Sequence, residues 1–275
     1  AQMSELAAST NAAVTAAVSS VQMKMDAVQG FIMHHVSDSH GMMPLPKVSF
    51  DLPPFVSLHG LMLVFSAFLL LVAFGLLYKK QQAVPSGFTN LLECFVAFIR
   101  NDVAIAYLGP DDGRKMAPLF CTFFFFILTM NLVGLVPCFA AATSNLAVTV
   151  TLACITLFFM IFGAMYRTGV LGFFKGFIPH GIPWWVLIIL VPIEIIGLFI
   201  KAMALAIRLF ANMLSGHIVL FNLLGLVVIF GYLALPSVLM ALGIYLLEVF
   251  IAFLQAYIFT LLSAIFIGQR FHPEH

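Results

Sequence analysis

Charged side chains are scarce in this sequence: they account for 8% of its 275 residues, whereas soluble domains carry about 25%. Hydrophobic residues account for 63% and occur in long uncharged runs. Runs of this kind exclude a soluble globular fold, and because they do not alternate with polar residues they also exclude a membrane β-barrel. The sequence therefore predicts an all-α integral membrane protein.

The net charge is small, cysteines are few and no internal repeat is evident, and each of these features excludes or disfavours a class of function. A net charge of +1 argues against a nucleic acid partner. The absence of an internal repeat disfavours an inverted-repeat transporter. We expect the cysteines to be small apolar residues of a helical bundle, because no two of them have metal-ligand spacing; they are Cys94, Cys121, Cys138 and Cys154.

The only extended polar region is residues 1–54, which we separate as an N-terminal extension from a membrane domain at 55–275. It contains His34, His35 and His40, but without an accompanying carboxylate or cysteine cluster we expect a solvated or interfacial segment rather than a metal site. Because the chain begins with Ala1, we also expect that a targeting segment has been removed.

Hydropathy predicts about five transmembrane helices and one amphipathic helix. The amphipathic pattern covers 87–108, where polar and apolar residues occupy different faces, so we expect this helix on the inner membrane surface. The predicted spans are 55–78, 117–137, 145–166, 184–230 and 236–267.

Basic residues give the orientation, because they concentrate on the cytoplasmic or matrix side of membrane proteins. The last two spans each exceed the roughly 20 residues that an upright helix needs. Either both are long and strongly tilted, or the first is broken near Ser215 and Gly216; we favour the tilted pair, because a break would move Arg270 to the opposite side. With that threading one side collects Lys79, Lys80, Arg100, Arg114, Lys115, Arg167, Lys175 and Arg270.

A row of polar residues runs through the first long span at intervals of seven, which places its members on one helical stripe. Asn212 lies beside this row. A buried structural ion pair is one explanation, but Glu194 and Arg208 are about 21 Å apart along the axis. An intramembrane ionisable residue commonly marks an ion path, and Arg208 requires an anion from elsewhere. The row comprises Glu194, Lys201, Arg208, Ser215 and Asn222.

The last span carries Glu248 and Gln255, also seven residues apart. The threading puts Glu194 toward the inside, Arg208 and Gln255 near mid-depth, and His217 and Glu248 toward the outside. His217 follows Arg208 by nine residues and points to the other side of an ideal helix. On spacing alone it is either a packed structural histidine or a proton-relay group that faces Glu248.

The stretch "RLFANMLSGH" resembles the signature of subunit a of the F-type ATP synthase, the proton-carrying membrane stator. The resemblance covers about 87–268 and includes "NLVGLVP", which begins at Asn131, "TSNLAVT", "FIPHGIP" and "LEVFIAFLQAYIFTLL". It implies two long tilted helices against a ring of c subunits, with other F0 subunits including a b-type peripheral stalk, protons and lipids as further partners. It implies no cofactor, no metal and no catalytic site within this chain.

The resemblance also implies residue roles for proton translocation. Arg208 becomes the essential arginine that separates two half-channels, Glu194 the inside acid, Gln255 the residue that faces the rotor, and His217 with Glu248 the outside pair. We add Asn131, Asn212, Lys201 and Ser215 to the proton path, and the His217–Glu248 pair as a candidate zinc-inhibition site.

Other classes of protein remain as alternatives. A secondary transporter would use Arg208 to clamp an anionic substrate, but predicts repeats and broken helices. A structural membrane anchor would have no reason to hold a heptad row of polar residues. For the location we expect the mitochondrial inner membrane, with the bacterial plasma membrane as the alternative.

Overall fold

The computed structural model describes residues 14–16, 18–30, 58–77, 87–136, 139, 141–177 and 183–271, and every regular element among them is helical. Helical residues at 14–16 and 18–30 precede the membrane domain. The remainder of the predicted N-terminal extension lies outside the described residues. From residue 58 onward the helices are α1 (Leu58–Val72), α2 (Phe88–Phe98), α3 (Ala106–Gly134), α4 (Leu146–Phe158), α5 (Ala164–Thr168), α6 (Val170–Lys175), α7 (Trp184–Phe230) and α8 (Leu235–Phe271).

Short irregular helical segments join several of these helices. π-Helical segments follow α1, α2 and α4 at Ala73–Leu77, Ile99–Ile105 and Phe159–Gly163. A 3₁₀ turn at Ala142–Ser144 precedes α4, and the side chain of Asn145 caps α4 by accepting a hydrogen bond from the backbone of Ala147 at 2.9 Å. A second 3₁₀ turn at Gly231–Ala234 connects the two longest helices.

Within the described ranges, four helical segments are long and apolar enough to cross a membrane: Thr89–Gly134, Leu146–Thr168, Trp185–Phe230 and Leu235–Phe271. A shorter apolar helix at His59–Gly75 accompanies them. These segments confirm the predicted all-α integral membrane fold, with helix bounds within a few residues of the predicted spans except at the start of α3.

Helix α7 is one continuous element of 47 residues, and α8 has 37. At 1.5 Å per residue their lengths are about 70 and 55 Å, well beyond the roughly 30 Å of a hydrocarbon core. Helix α7 passes through Ser215 and Gly216 without a break. The prediction of two long helices, the first of them unbroken, is therefore confirmed, and their strong tilt remains a prediction. Gly231, with φ at 60°, ends α7 in a conformation that favours glycine.

The packed core lies where α3 meets α8. The rings of Phe123 and Phe259 meet edge to face with centroids 5.6 Å apart, and Phe120 is fully buried beside them. From α4, the hydroxyl of Thr156 lies 3.2 Å from that of Ser263 on α8. Helix α8 thus packs on α3 along its second half, and it also pairs with α7.

The chain reverses at Gly109, between α2 and the main part of α3. Gly109 has φ 81° and ψ 172°, which is accessible to glycine and strained for other residues. Beyond the bend, a Cβ at Gly113 would lie 2.7 Å from the carbonyl oxygen of Ala104, so the two arms approach closely. Phe95 on α2 packs against Phe124 on α3, with ring centroids 5.6 Å apart.

Helix α2 is packed on one side and exposed on the other. Its apolar side contacts α3 and α8, where Phe98 lies 5.6 Å from the ring of Tyr257. The polar residues Asn90 and Glu93 of α2, and Arg100 and Asp102 of the π-helical segment that follows it, are exposed. The position of α2 on the inner membrane surface remains a prediction.

Single cysteines on the exposed side of α2 test this position. We expect Asn90→Cys and Asp102→Cys both to react with a membrane-impermeant maleimide applied from the basic side, because a surface helix keeps both ends in the same compartment. Leu91→Cys, which is exposed but apolar, serves as a control for labelling within lipid. Failure of residue 90 or residue 102 to react from the basic side would contradict the surface position.

Candidate functional site

The heptad row lies on the side of α7 that turns away from the protein's own core. Arg208, Ser215 and Asn222 are exposed, and Glu194 and Lys201 are half-buried. The opposite side of the same turns is fully packed, through the buried residues Leu205, Ala206, Leu209 and Met213. An exposed arginine on an apolar membrane helix requires an anionic or polar partner outside its own helix, because hydrocarbon does not solvate a guanidinium.

Arg208 has no hydrogen bond or ion pair with any residue that the structure describes. Its guanidinium stays charged in proteins. One turn further along α7, the amide of Asn212 donates a hydrogen bond to Oε1 of Gln255 at 2.7 Å. This bond ties α7 to α8 at the depth of Arg208, and Gln255 is 3% exposed.

A polar cluster lies where the first part of α7 meets the C-terminal end of α8, the end predicted to face the inside. Arg270 donates a hydrogen bond to Oε1 of Glu194 at 3.1 Å, which forms an ion pair between α8 and α7. Lys201 donates to Oε1 of Gln269 at 2.9 Å, and the guanidinium of Arg270 lies 4.6 Å from the ring centre of Phe177. Glu194 is therefore paired with Arg270 and not with Arg208.

A buried carboxylate lies in the outer half of the helix pair. Glu248 on α8 is 6% exposed, and neither of its carboxylate oxygens accepts a hydrogen bond from the described part of the chain. It faces Gly216 on α7: a Cβ built on that glycine would lie 2.0 Å from Oε1 of Glu248 and 2.8 Å from its Cδ. Gly216 thus provides the space that Glu248 occupies.

His217 lies next to this contact. It is 8% exposed, and its ring stacks on that of Phe221 with centroids 6.0 Å apart. Arg208 is exposed whereas His217 is buried, so the spacing of nine residues does place them on different sides of α7. Glu248 thus meets α7 at Gly216, the residue before His217, but accepts no hydrogen bond from the His217 ring.

A small cavity of about 10 Å³ connects the two polar positions of α8. This volume is about the space that one water molecule needs. Asn131, on α3, is 2% exposed and accepts a hydrogen bond from the hydroxyl of Thr143 at 2.9 Å. The cavity lining consists of Asn131, Leu209, Asn212, Met213, Glu248, Ile251, Ala252 and Gln255.

The arrangement consists of two polar regions with a fixed cation between them. Glu194, Lys201 and Arg270 form the inner region, and Glu248 with Asn131 lies in the outer one. Carboxylates exchange protons, whereas a guanidinium does not. Ser215, whose hydroxyl is bonded to the backbone of Asn212 at 3.2 Å, is on the exposed row and contributes to neither region.

Sequence reasoning missed two of these partners. The sequence places Arg270 among the basic residues of one side and Gly216 at the site of a broken-helix alternative. Neither observation predicts that Arg270 contacts Glu194 or that Gly216 contacts Glu248. The charge of Arg270 at the inner end of α8 was a usable signal, because Glu194 had no other cation at that depth except Lys201.

The chain is similar to a family of known proteins. Residues 60–268 match the family model described as "ATP synthase A chain". A protein of Chloroherpeton thalassium named "ATP synthase subunit a" is 46% identical, over 92% of this chain and 78% of its own length. Proteins of the same name from Anaeromyxobacter dehalogenans and Chlorobium phaeobacteroides are 48% and 42% identical, over 69% and 86% of this chain and 50% and 74% of their own lengths.

These relatives correct the expected location. All three come from bacteria, so the comparisons do not support the mitochondrial inner membrane that the N-terminal extension suggested. Polar N-terminal sequence is compatible with either membrane, and it carried no information about the compartment. The chain spans only 50% of the Anaeromyxobacter relative, so activity and partners are treated below as proposals.

The contact between Gly216 and Glu248 gives a test of the packing. We expect Gly216→Ala to destabilise the protein by about 1–3 kcal/mol, the usual cost of overpacking, because its methyl group would force the Glu248 carboxylate to move. Thermal unfolding in detergent measures the effect. Gly197→Ala is the matched control, since α7 leaves open space within 4 Å of that Cβ. Equal stability of the two variants would contradict the close contact.

Proposed function

Since the chain belongs to the ATP synthase A chain family, we propose that it is the proton-conducting stator subunit of an F-type ATP synthase membrane sector. The observation that carries this proposal is Arg208: a permanent charge on a long apolar helix, exposed between two polar regions and without a partner among the residues that the structure describes. A stator that faces a moving ring of carboxylates needs this combination.

The missing anion of Arg208 is proposed to be the carboxylate of each passing c subunit. A nearby cation favours the ionised form of a carboxylate, so a c subunit releases its proton before it passes Arg208. Because the guanidinium cannot relay a proton itself, it separates the two sides of the path. Protons then cross only if the ring turns.

The two polar regions are proposed as offset half-channels. Glu194 serves the inside half-channel, and its ion pair with Arg270 holds the carboxylate at the inner ends of both helices. Glu248, His217 and Asn131 serve the outside half-channel. The Asn212–Gln255 bond fixes α7 against α8 at the depth of Arg208, and Lys201 and Ser215 line the surface that the ring passes.

The proposed surroundings follow from the same role. The partners are the c-ring, a b-type peripheral stalk with other F0 subunits, protons and membrane lipids. The bacterial origin of the relatives favours the bacterial plasma membrane. The chemistry of ATP belongs to other subunits, so this chain needs no catalytic site or cofactor of its own. A secondary transporter is not favoured, because α7 and α8 are unbroken where that class needs discontinuous helices.

Replacement of Arg208 tests the central proposal. We expect Arg208→Ala to abolish ATP-driven proton pumping by the reconstituted complex, and Arg208→Lys to retain little, because an ammonium lacks the planar fork and can deprotonate when desolvated. Asn222→Ala, on the same exposed row, is the control and should pump normally. Normal pumping by Arg208→Ala would refute the mechanism.

The outer pair is tested by zinc and by a double-mutant cycle. A histidine beside a carboxylate is an incomplete zinc site, and no group of three or more potential metal ligands occurs among the described residues. We expect zinc added from the outside to inhibit proton flux, and His217→Ala to relieve the inhibition.

The double mutant distinguishes a shared path from two separate roles. If His217 and Glu248 act together, His217→Ala and Glu248→Gln should be strongly non-additive in proton flux. Additive effects, with zinc sensitivity unchanged in His217→Ala, would exclude a joint role.

A further inference from the structure

One buried histidine has no part in the function proposed above. His59, in the first turn of α1, is 1% exposed. Its Nε2 lies 3.3 Å from the hydroxyl oxygen of Ser144, which belongs to the 3₁₀ turn between α3 and α4. A buried imidazole next to a hydroxyl is an unusual choice for the apolar interior of a membrane protein, where ionisable residues are rare and commonly functional.

The direction of this hydrogen bond follows from the proton count. Ser144 has one hydroxyl proton, and it is donated to the carbonyl oxygen of Ala141 at 2.7 Å. The contact with His59 is therefore a bond in which Nε2–H donates and the Ser144 oxygen accepts. In the neutral ring the second nitrogen, Nδ1, is then the basic atom.

Ser144 begins a buried polar seam that leads toward Glu248. The preceding residue in the chain, Thr143, is fully buried and donates to Oδ1 of Asn131 at 2.9 Å. Asn131 lines the small cavity that Glu248 also lines. His59, Ser144, Thr143, Asn131 and Glu248 thus come from α1, the 3₁₀ turn, α3 and α8, and all five are buried.

The seam lies on the side of the membrane opposite to most of the basic residues. Helix α1 begins at Leu58, and the basic residues Lys79 and Lys80 follow its C-terminal end in the sequence. The 3₁₀ turn follows the end of α3 that is far from Asp112, whose ion pair with Arg167 marks the basic side. His59 is therefore at the outer end of α1.

We propose that His59 is the outermost buried proton-exchanging residue of the outside half-channel and passes protons along the Ser144–Thr143–Asn131 seam to Glu248. This inference rests on the proposed function, because it adds a residue to the path that leads to the ring. It also assigns a role to α1, which has none in the mechanism above.

The proton balance is simple. A proton arriving from the outside binds Nδ1 of the neutral ring and gives the imidazolium, which carries a proton on each nitrogen. The imidazolium then releases its Nε2 proton to a water molecule on the seam side, which leaves the neutral ring protonated on Nδ1. A half-turn of the ring about its Cβ–Cγ bond then turns the unprotonated nitrogen toward the outside, where it binds the next proton. Water carries the proton past the hydroxyl of Thr143 and the amide of Asn131 to the carboxylate of Glu248.

Two substitutions of His59 separate proton exchange from a structural role. Glutamine in His59→Gln can still donate a hydrogen bond to Ser144 but does not bind or release protons near neutral pH. His59→Glu restores a side chain that does exchange protons. The measurement is passive proton flow through F0 vesicles that lack the ATPase head, normalised to the amount of assembled complex. Ser66→Ala is the control: Ser66 is a buried residue of α1 whose hydroxyl is bonded to its own helix at 2.8 Å.

We expect His59→Gln to lower the proton flow by up to about tenfold, less than the roughly 100-fold or more that a positioned acid–base group gives to a chemical step, because water can carry part of the flux. His59→Glu should conduct better than His59→Gln, and Ser66→Ala should conduct normally. If the His59 variants fail to assemble, Ser144→Ala removes the acceptor alone and should still lower the flow.

Parental flow in His59→Gln or in an assembled Ser144→Ala, or equally low flow in His59→Gln and His59→Glu, would overturn this inference. Such a result, together with loss of pumping in Arg208→Ala, would leave the proposed function intact. Normal pumping in Arg208→Ala would instead refute the proposed function itself.

Discussion

The structure depends on one electrostatic constraint: a guanidinium that cannot lose its proton lies on an apolar helix and has no anion among the described residues. Among the described residues, the two carboxylates assigned to the proposed proton path are both held away from Arg208. Glu194 is paired with Arg270, and Glu248 is enclosed against Gly216. The fold thus keeps its own anions away from Arg208, which leaves the cation available to a group from outside the chain.

Close contact between α7 and α8 is what keeps these groups apart. At mid-depth the two helices are joined by the Asn212–Gln255 bond, and at the inner end by Glu194 and Arg270. Near Glu248, α8 approaches α7 closely because Gly216 has no side chain. The polar groups between the helices are therefore fixed by packing on both sides, and this rigidity is what a proton path needs if its acids are to keep a constant order.

Much of the fold follows from sequence, because long apolar runs in a membrane have few alternatives to helices. The rotation of 100° per residue along an α-helix places Arg208 and His217 on different sides of α7. Contacts between distant elements do not: the register that brings Arg270 to Glu194, or Ser144 to His59 across 85 residues, is set by how helices pack. A glycine in the sequence is equally uninformative, because Gly216 is compatible both with a bend in α7 and with the close approach of another helix.

The length of α7 determines the direction in which a proton carrier outside this chain has to move. The polar row and His217 lie on a rod of about 70 Å, and such a rod fits within a 30 Å layer only at about 65° to the membrane normal. At that inclination Glu194 and His217 are separated by about 30 Å in the plane of the membrane. A carrier at fixed depth that meets one end of α7 must therefore travel sideways to meet the other, so the tilt of one helix converts a difference in depth into a tangential path.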